Sequence, residues 1–228
     1  MPANDVYTKS GTVKELKDEW RTPPAVFTFA ERLFGPFNLD VAASQHNHLV
    51  GIWFGRGGIR EDALGVPWVH PSGEYTNAWM NPPYSQTSKW MIKAFREALL
   101  GRASTTCLVG SATEVAWFHR CVYDLRLSIA HGVPTLRQGV AVQFLYRRIK
   151  FIDPTTNKPS KGSPPAGQML VHFRRGLPPG NPLAGVEVGP ALELLDAEFA
   201  VLDKLEAEER AWKEALTGEA DDAQAADA

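Results

Sequence analysis

Asn81-Pro82-Pro83-Tyr84 is the stretch whose reading decides the fold. Residues 75–80 before it form an apolar run that reads as a buried strand. Residues 87–100 after it carry Trp90, Met91, Ala94, Phe95, Ala98 and Leu99 at helical spacing, and Gly101 stops the run. A strand, a stiff turn and a helix in that order put the turn at the carboxyl edge of an α/β sheet, where open sheets bind their ligands. Each proline fixes φ and removes a backbone donor, so the turn offers rigid carbonyls and few N–H groups. Asn81 adds a side-chain oxygen, and Tyr84 adds a flat face with a polar tip. Two fixed acceptors beside an aromatic plate suit a planar amine, and the exocyclic amine of a nucleobase is one.

Toward the N-terminus, Thr22-Pro23-Pro24 reads as a helix start, with Thr22 as N-cap and Pro23 at the first helical position. Phe27, Ala30, Leu33 and Phe34 follow at helical spacing, and Gly35 ends the helix. Residues 37–43 read as a short buried strand containing Asp40, Ala42 and Ala43. Small side chains there let a ligand approach the backbone, and a carboxylate attracts a sulfonium or ammonium charge. Ala42, Ala43 and Ser44 stand where a dinucleotide fingerprint would place glycines. Residues 51–58 read as a glycine-rich loop without the Lys-Ser ending of a phosphate-binding loop. His46 and His48 lack a third ligand nearby, so they read as loop residues and no metal is expected. Asp62 is either a turn residue or a partner for amino or hydroxyl groups of a nucleoside.

Toward the C-terminus, residues 105–109 read as a buried strand and residues 114–121 as a helix. That helix carries Trp117, Phe118 and His119, which either pack in the core or line a target-base pocket. Residues 125–130 are another strand candidate. Residues 140–144 and 149–152 then approach 169–173 across a polar loop at 153–167, which reads as a hairpin with an extended tip. Arg147, Arg148, Lys150, Lys158 and Lys161 cluster on it, with Tyr146 interleaved. Such a surface is either a solvated basic hairpin or one that grips nucleic-acid phosphates; the aromatic among the cations points to DNA.

The chain of 228 residues has room for one α/β domain with a modest appendage. It divides into a flexible N-terminus (1–17), a body (18–176), a proline-rich linker (177–189), an amphipathic helix (190–217) and a disordered acidic tail (218–228). The helix carries Leu192, Leu195, Phe199, Leu202 and Leu205, and its apolar face needs either the body or a second copy, which would make a homo-oligomer. No apolar run is long enough for a membrane span, and the N-terminus lacks the apolar core of a secretory signal. Two cysteines, Cys107 and Cys121, fit a reducing cytoplasm and make no disulfide framework. Residues 187–228 carry thirteen acidic and three basic side chains, whereas residues 1–186 carry twenty-one basic and thirteen acidic. The formal charge of −2 therefore hides a basic body, which is what a phosphate-binding surface needs.

Several words of the sequence occur together in one known family. They are Asp18-Glu19-Trp20-Arg21-Thr22-Pro23-Pro24, Phe34-Gly35-Pro36-Phe37-Asn38-Leu39-Asp40-Val41-Ala42-Ala43, Asn81 to Ser85, Trp117-Phe118-His119, Arg148-Ile149-Lys150-Phe151 and residues 169–173. In this order they resemble the phage-type DNA N-6-adenine methyltransferases. The resemblance implies a Rossmann-like class I methyltransferase fold: a mostly parallel sheet, an antiparallel hairpin near its C-terminal edge, and helices on both faces. It further implies S-adenosylmethionine as methyl donor, no metal, double-stranded DNA as partner and base flipping before direct transfer to adenine N6. Asn81, Pro82, Pro83 and Tyr84 would then be catalytic. Thr22, Pro23, Asp40, Ala42, Ala43 and Asp62 would hold the cofactor, and Arg147, Arg148, Lys150, Lys158 and Lys161 the DNA. The same four-residue turn also occurs in enzymes that methylate RNA bases or glutamine side chains; the other alternative is a DNA-binding relative that has lost cofactor affinity, which the missing glycine loop favours and the intact Asn81–Tyr84 turn opposes.

Overall fold

Residues 18–124, 127–128, 131–162 and 164–176 are described by a computed structural model. The expected N-terminal segment 1–17, linker 177–189, helix 190–217 and tail 218–228 lie outside the described residues. The elements in chain order are α1 (Pro24–Phe34), β1 (Leu39–Ser44), β2 (Trp53–Arg56), β3 (Thr76–Met80), a 3-10 turn (Tyr84–Gln86), α2 (Thr87–Leu99), β4 (Ala103–Gly110), α3 (Ala116–Cys121), β5 (Val140–Phe144) and β6 (Gln168–Phe173).

Six strands form one sheet in the order β2-β1-β3-β4-β6-β5. β1 pairs in parallel with β2 and β3, and β3 with β4. β6 runs antiparallel to both β4 and β5. Every strand but β6 therefore points the same way, and the carboxyl ends of β1, β3, β4 and β5 share one edge. Parallel strands are buried on both faces, which explains why β3 and most of β4 read as unbroken buried runs.

The two faces take different layers. On one, Trp79 of β3 meets Phe27 of α1 edge-on at 5.2 Å, and Phe37 joins them at 5.6 Å from Trp79. Leu108, Leu170, Ile149 and Phe151 belong to the same buried cluster. Asn77 seals the end of α1 by donating to the carbonyls of Phe34 and Pro36 at 2.7 and 2.9 Å. On the other face α2 buries Trp90, Met91, Ala94, Phe95 and Ala98, and Phe95 meets Phe173 at 5.5 Å. α3 packs beside α2. A fully buried Met91 or Leu108 contributes about 2 kcal/mol.

Glu97 of α2 is buried, and its carboxylate is bound by Lys93 at 2.6 Å, Arg102 at 3.4 Å and the Trp68 backbone N–H at 3.0 Å. Three donors compensate a charge that would otherwise be costly to bury. Trp68 in turn donates its indole N–H to the Ala63 carbonyl at 2.7 Å, so this cluster anchors the loop that carries Asp62.

Four local expectations are corrected. α1 begins at Pro24 with Pro23 as N-cap, and Thr22 is buried and caps nothing. The cause is the second proline: it pushes Pro23 to ψ 139°, out of the helical region. Residues 51–58 are not merely a loop but contain β2, in which Gly55 at φ +123° pairs with Ala43. Residues 149–152 form no strand, only isolated bridges from Ile152 to Arg21 and Pro159, so the hairpin is β5–β6. Within 125–130, the described residues Leu127 and Ser128 are helical.

Candidate active site

The turn after β3 is fixed from the strand side. Asn81 is half-buried and Pro82 buried, and the Pro83 carbonyl accepts the Gln86 N–H at 2.9 Å to start the 3-10 turn. The Asn81 amide donates from Nδ2 to the Trp20 carbonyl at 3.2 Å. Its donor side is thereby committed to the backbone, and Oδ1 is the atom left to accept. The Tyr84 ring stands edge-on to Phe151 at 5.8 Å and stays 39% exposed.

Asn81 and Pro83 form one wall of a cleft of about 180 Å³. Its floor is the carboxyl end of β1, where Ala42, Ala43 and Ser44 present little bulk. Gly55 of β2 lies beside them. A Cβ there would stand 1.9 Å from the Ala43 carbonyl, so only glycine fits. Asp62 reaches the rim from the loop after β2. It is held by a turn in which its Oδ1 accepts the Gly65 N–H at 3.0 Å. A Cβ on Gly65 would meet Asp62 Oδ2 at 2.2 Å, so a side chain there would push the carboxylate from this position.

Residues 18–21 close the cleft as a strap. Asp18 and Glu19 line it. Asp18 also accepts from Ser85 through both oxygens, from the hydroxyl at 2.6 Å and the backbone N–H at 3.3 Å. Arg21 exchanges backbone bonds with Ile152 at 3.1 and 2.9 Å, and its guanidinium donates to Asn157 at 3.2 Å. One short segment thus touches the cleft, the Asn81 turn and the segment after β5.

Not every residue named from the sequence lies in this cleft. Ala42, Ala43, Asp62, Asn81 and Pro83 line it together. Asp40 sits behind the floor, accepting the N–H groups of Ala42 at 3.3 Å and Leu49 at 3.0 Å. Burial pushes its carboxyl up to about 7, against the pull of those two bonds. Thr22 is buried, and Pro23 lines a separate groove between α1 and the segment carrying Arg147, Arg148 and Lys150. Tyr84 faces a neighbouring groove with Lys89, Val115 and Trp117. Trp117 and Phe118 do pack in the core, while Trp117 also lines that groove.

Arg147, Arg148, Lys150, Lys158 and Lys161 are all exposed. They follow β5, whose carboxyl end lies on the same sheet edge as the Asn81 turn. His48 stacks on Trp53 at 4.1 Å as a loop residue. Among the described residues no group of His, Cys, Asp or Glu could hold a metal ion, and no helix is long and apolar enough to cross a membrane. The sequence reading missed Asp18, Trp20 and Ser85 as site-builders. The acidic and hydroxyl pair at 18 and 85 sits within quoted motifs, but only the fold joins them.

The family model described as DNA N-6-adenine-methyltransferase (Dam) matches residues 9–186. The chain is 31% identical over 178 residues to the DNA N-6-adenine-methyltransferase of Haemophilus phage HP1 (strain HP1c1), covering 77% of this chain and 90% of that protein. It is 28% identical over 112 residues to the protein of the same description in Escherichia phage T1, covering 49% of this chain and 44% of that one. No solved structure matches it. The matched span takes in the strap, the cleft, the Asn81 turn and the basic edge alike, and the chain accordingly belongs to the DNA N-6-adenine-methyltransferase (Dam) family.

Proposed function

We propose that this chain, within a Rossmann-like class I methyltransferase fold, carries a methyl group from S-adenosylmethionine to N6 of an adenine extruded from double-stranded DNA. The observation that carries the reading is the Asn81 amide, which lines the cleft and gives its donor side to the Trp20 carbonyl, leaving its oxygen as the group to accept. The strand order supports the fold class: β6 enters antiparallel between β4 and β5, and the cleft lies at the carboxyl ends of parallel strands.

The cleft suits the donor. The floor of Ala42, Ala43 and Gly55 presents only small residues, and Gly55 admits no side chain. Asp62 and Glu61 at the rim, with Glu19 in the strap, give carboxylates to hydroxyl, amino and cationic groups. S-adenosylmethionine, when bound, supplies an electrophilic methyl on a positively charged sulfur.

The rest is done by the chain. Adenine N6 is a poor nucleophile because its lone pair is delocalised into the ring. The Asn81 oxygen and the Pro82 carbonyl would accept its two hydrogens and draw the nitrogen toward tetrahedral geometry. The prolines hold both acceptors in place beforehand, so no reorganisation is needed as charge develops. Extruding the base costs a few kcal/mol. Tyr84, which is 39% exposed in the neighbouring groove, would return roughly 1–3 kcal/mol of that by stacking. Arg147, Arg148, Lys150, Lys158 and Lys161 would grip the phosphates.

Methylation-sensitive sequencing of unmodified plasmid DNA after incubation with protein and S-adenosylmethionine should reveal N6-methyladenine in a defined sequence. Labelled donor offered to RNA and to protein should give no comparable signal; transfer to either instead of DNA would overturn the substrate assignment. Asn81→Ala should lower turnover by about 10²–10³-fold, as loss of a preorganised polar group does elsewhere. Calorimetry should find donor affinity nearly unchanged in that variant, and full turnover would remove Asn81 from its role.

A further inference from the structure

We propose that Tyr146 is a wedge that enters the base stack of duplex DNA beside the target adenine and holds the gap left by extrusion. This rests on the DNA reading above and adds to it a residue that works on the duplex rather than on the amine.

The base of the wedge is built. Gln168, the first residue of β6, is buried to 3% exposure. Its backbone carbonyl accepts the Leu145 N–H at 3.0 Å, and its side-chain Oε1 accepts the Ile149 N–H at 2.9 Å. Its own amide donates to the Ala166 carbonyl at 2.7 Å, which fixes the orientation of the side chain. A single buried glutamine therefore grips both ends of a three-residue excursion, Tyr146-Arg147-Arg148. On either side, Ile149 belongs to the core cluster and the partly buried Leu145 packs against it.

What projects from that base has no folding role. Tyr146 is 92% exposed, more than any other large hydrophobic side chain described. The Arg147 guanidinium lies 5.4 Å from its ring centroid, and Arg148 and Lys150 are exposed beside it. A flat ring between cations matches a stack of bases between phosphate strands, whereas a protein partner would bury the ring without needing the charges. The excursion leaves the carboxyl end of β5, on the edge that carries the Asn81 turn. A few residues on, Phe151 of the same segment touches Tyr84.

The test compares Tyr146→Ala and Tyr146→Trp with the parent protein on two duplexes: one with the target adenine paired, one with it opposite an abasic site. Tyr146→Ala should lose about tenfold in kcat/KM on the paired duplex, the scale of one lost base-stacking contact, and less than about threefold on the abasic one. Tyr146→Trp should keep most of the activity. With 2-aminopurine at the target position, binding should raise fluorescence less for Tyr146→Ala than for the parent. Equal losses on both duplexes, or none, would overturn the wedge. Asn81→Ala provides the separation: it should retain the fluorescence rise while losing transfer. A parent protein that methylates no DNA would sink the functional reading, whereas normal transfer with a silent Tyr146→Ala would sink only the wedge.

Discussion

Asp40 and His172 are pulled out of their ordinary titration ranges by the same cause, in opposite directions. Desolvation raises the Asp40 carboxyl from 3.8 to about 7. It lowers the His172 imidazole from 6.5 to about 4, helped by the nearby Arg174 charge, while the ring stacks on Phe34 at 4.5 Å. Between about pH 4 and 6.5 the folded chain holds a proton on Asp40 that the unfolded chain has lost, so this residue makes stability fall as pH rises. Over the same window the unfolded chain holds a proton on His172 that the folded chain excludes, so this one makes stability rise with pH. Asp153, lowered by its bonds to Thr155, titrates beneath the window. The two opposed slopes nearly cancel in the parent protein. Asp40→Asn should unmask a midpoint that rises with pH, and His172→Gln one that falls. Urea unfolding at pH 4.5, 5.5 and 6.5 measures both, and parallel curves for all three proteins would contradict the assignment.

At the scale of elements, the strap at residues 18–21 holds the site together by contacts between chain segments more than sixty residues apart. Asp18 bonds Ser85, and Ser85 follows the turn whose Asn81 bonds Trp20. Losing either member of the Asp18–Ser85 pair loosens the same end of the same turn. Asp18→Ala removes both bonds and should lower kcat by roughly tenfold; Ser85→Ala keeps the backbone N–H bond and should cost less, and the double variant should lose no more than Asp18→Ala alone. Asp18→Asn, which can still pair with the Ser85 hydroxyl and N–H, should recover much of the loss. Additive losses, or an Asp18→Ala effect confined to donor affinity, would mean that Asp18 acts on the cleft and not through Ser85. This pair also shows what was legible in the sequence. The Asn81 turn, the α2 stripe and the buried strands before and after it could be read because periodicity and proline chemistry are local. β2 could not, because its pairing with β1 depends on Gly55 adopting a positive φ, and a glycine run reads as a loop. The strap bonds and the Gln168 grip are long-range. The strap bonds exist only once residues 18–21 lie against the turn after β3, and the grip only once β5 pairs with β6, and no spacing along the chain encodes them.

For the molecule as a whole, charge is divided along the chain in a way that bears on DNA. Residues 1–186 carry eight more basic than acidic side chains, whereas residues 187–228 carry ten more acidic than basic. The family match ends at residue 186, so the acidic excess lies entirely outside it. All five cations proposed for DNA contact belong to the matched span, on the sheet edge shared with the Asn81 turn. A segment of like sign to phosphate, attached to the molecule that binds phosphate, weakens association wherever it is not screened. The Debye length is about 10 Å at 0.1 M salt and grows as salt is removed, so the penalty belongs to low ionic strength. A chain ending at residue 186 should accordingly bind a short duplex several-fold more tightly at 50 mM salt. The advantage should shrink toward unity at 300 mM, where screening removes the repulsion. The truncated chain should also show the steeper fall of log affinity with log salt, because in the full chain rising salt screens the acidic segment's repulsion along with the body's attraction. Fluorescence anisotropy at three salt concentrations measures both. If affinity instead drops on truncation at every salt concentration, residues 187–228 contribute contacts or stability to the DNA-binding body, and their charge is not what governs their effect.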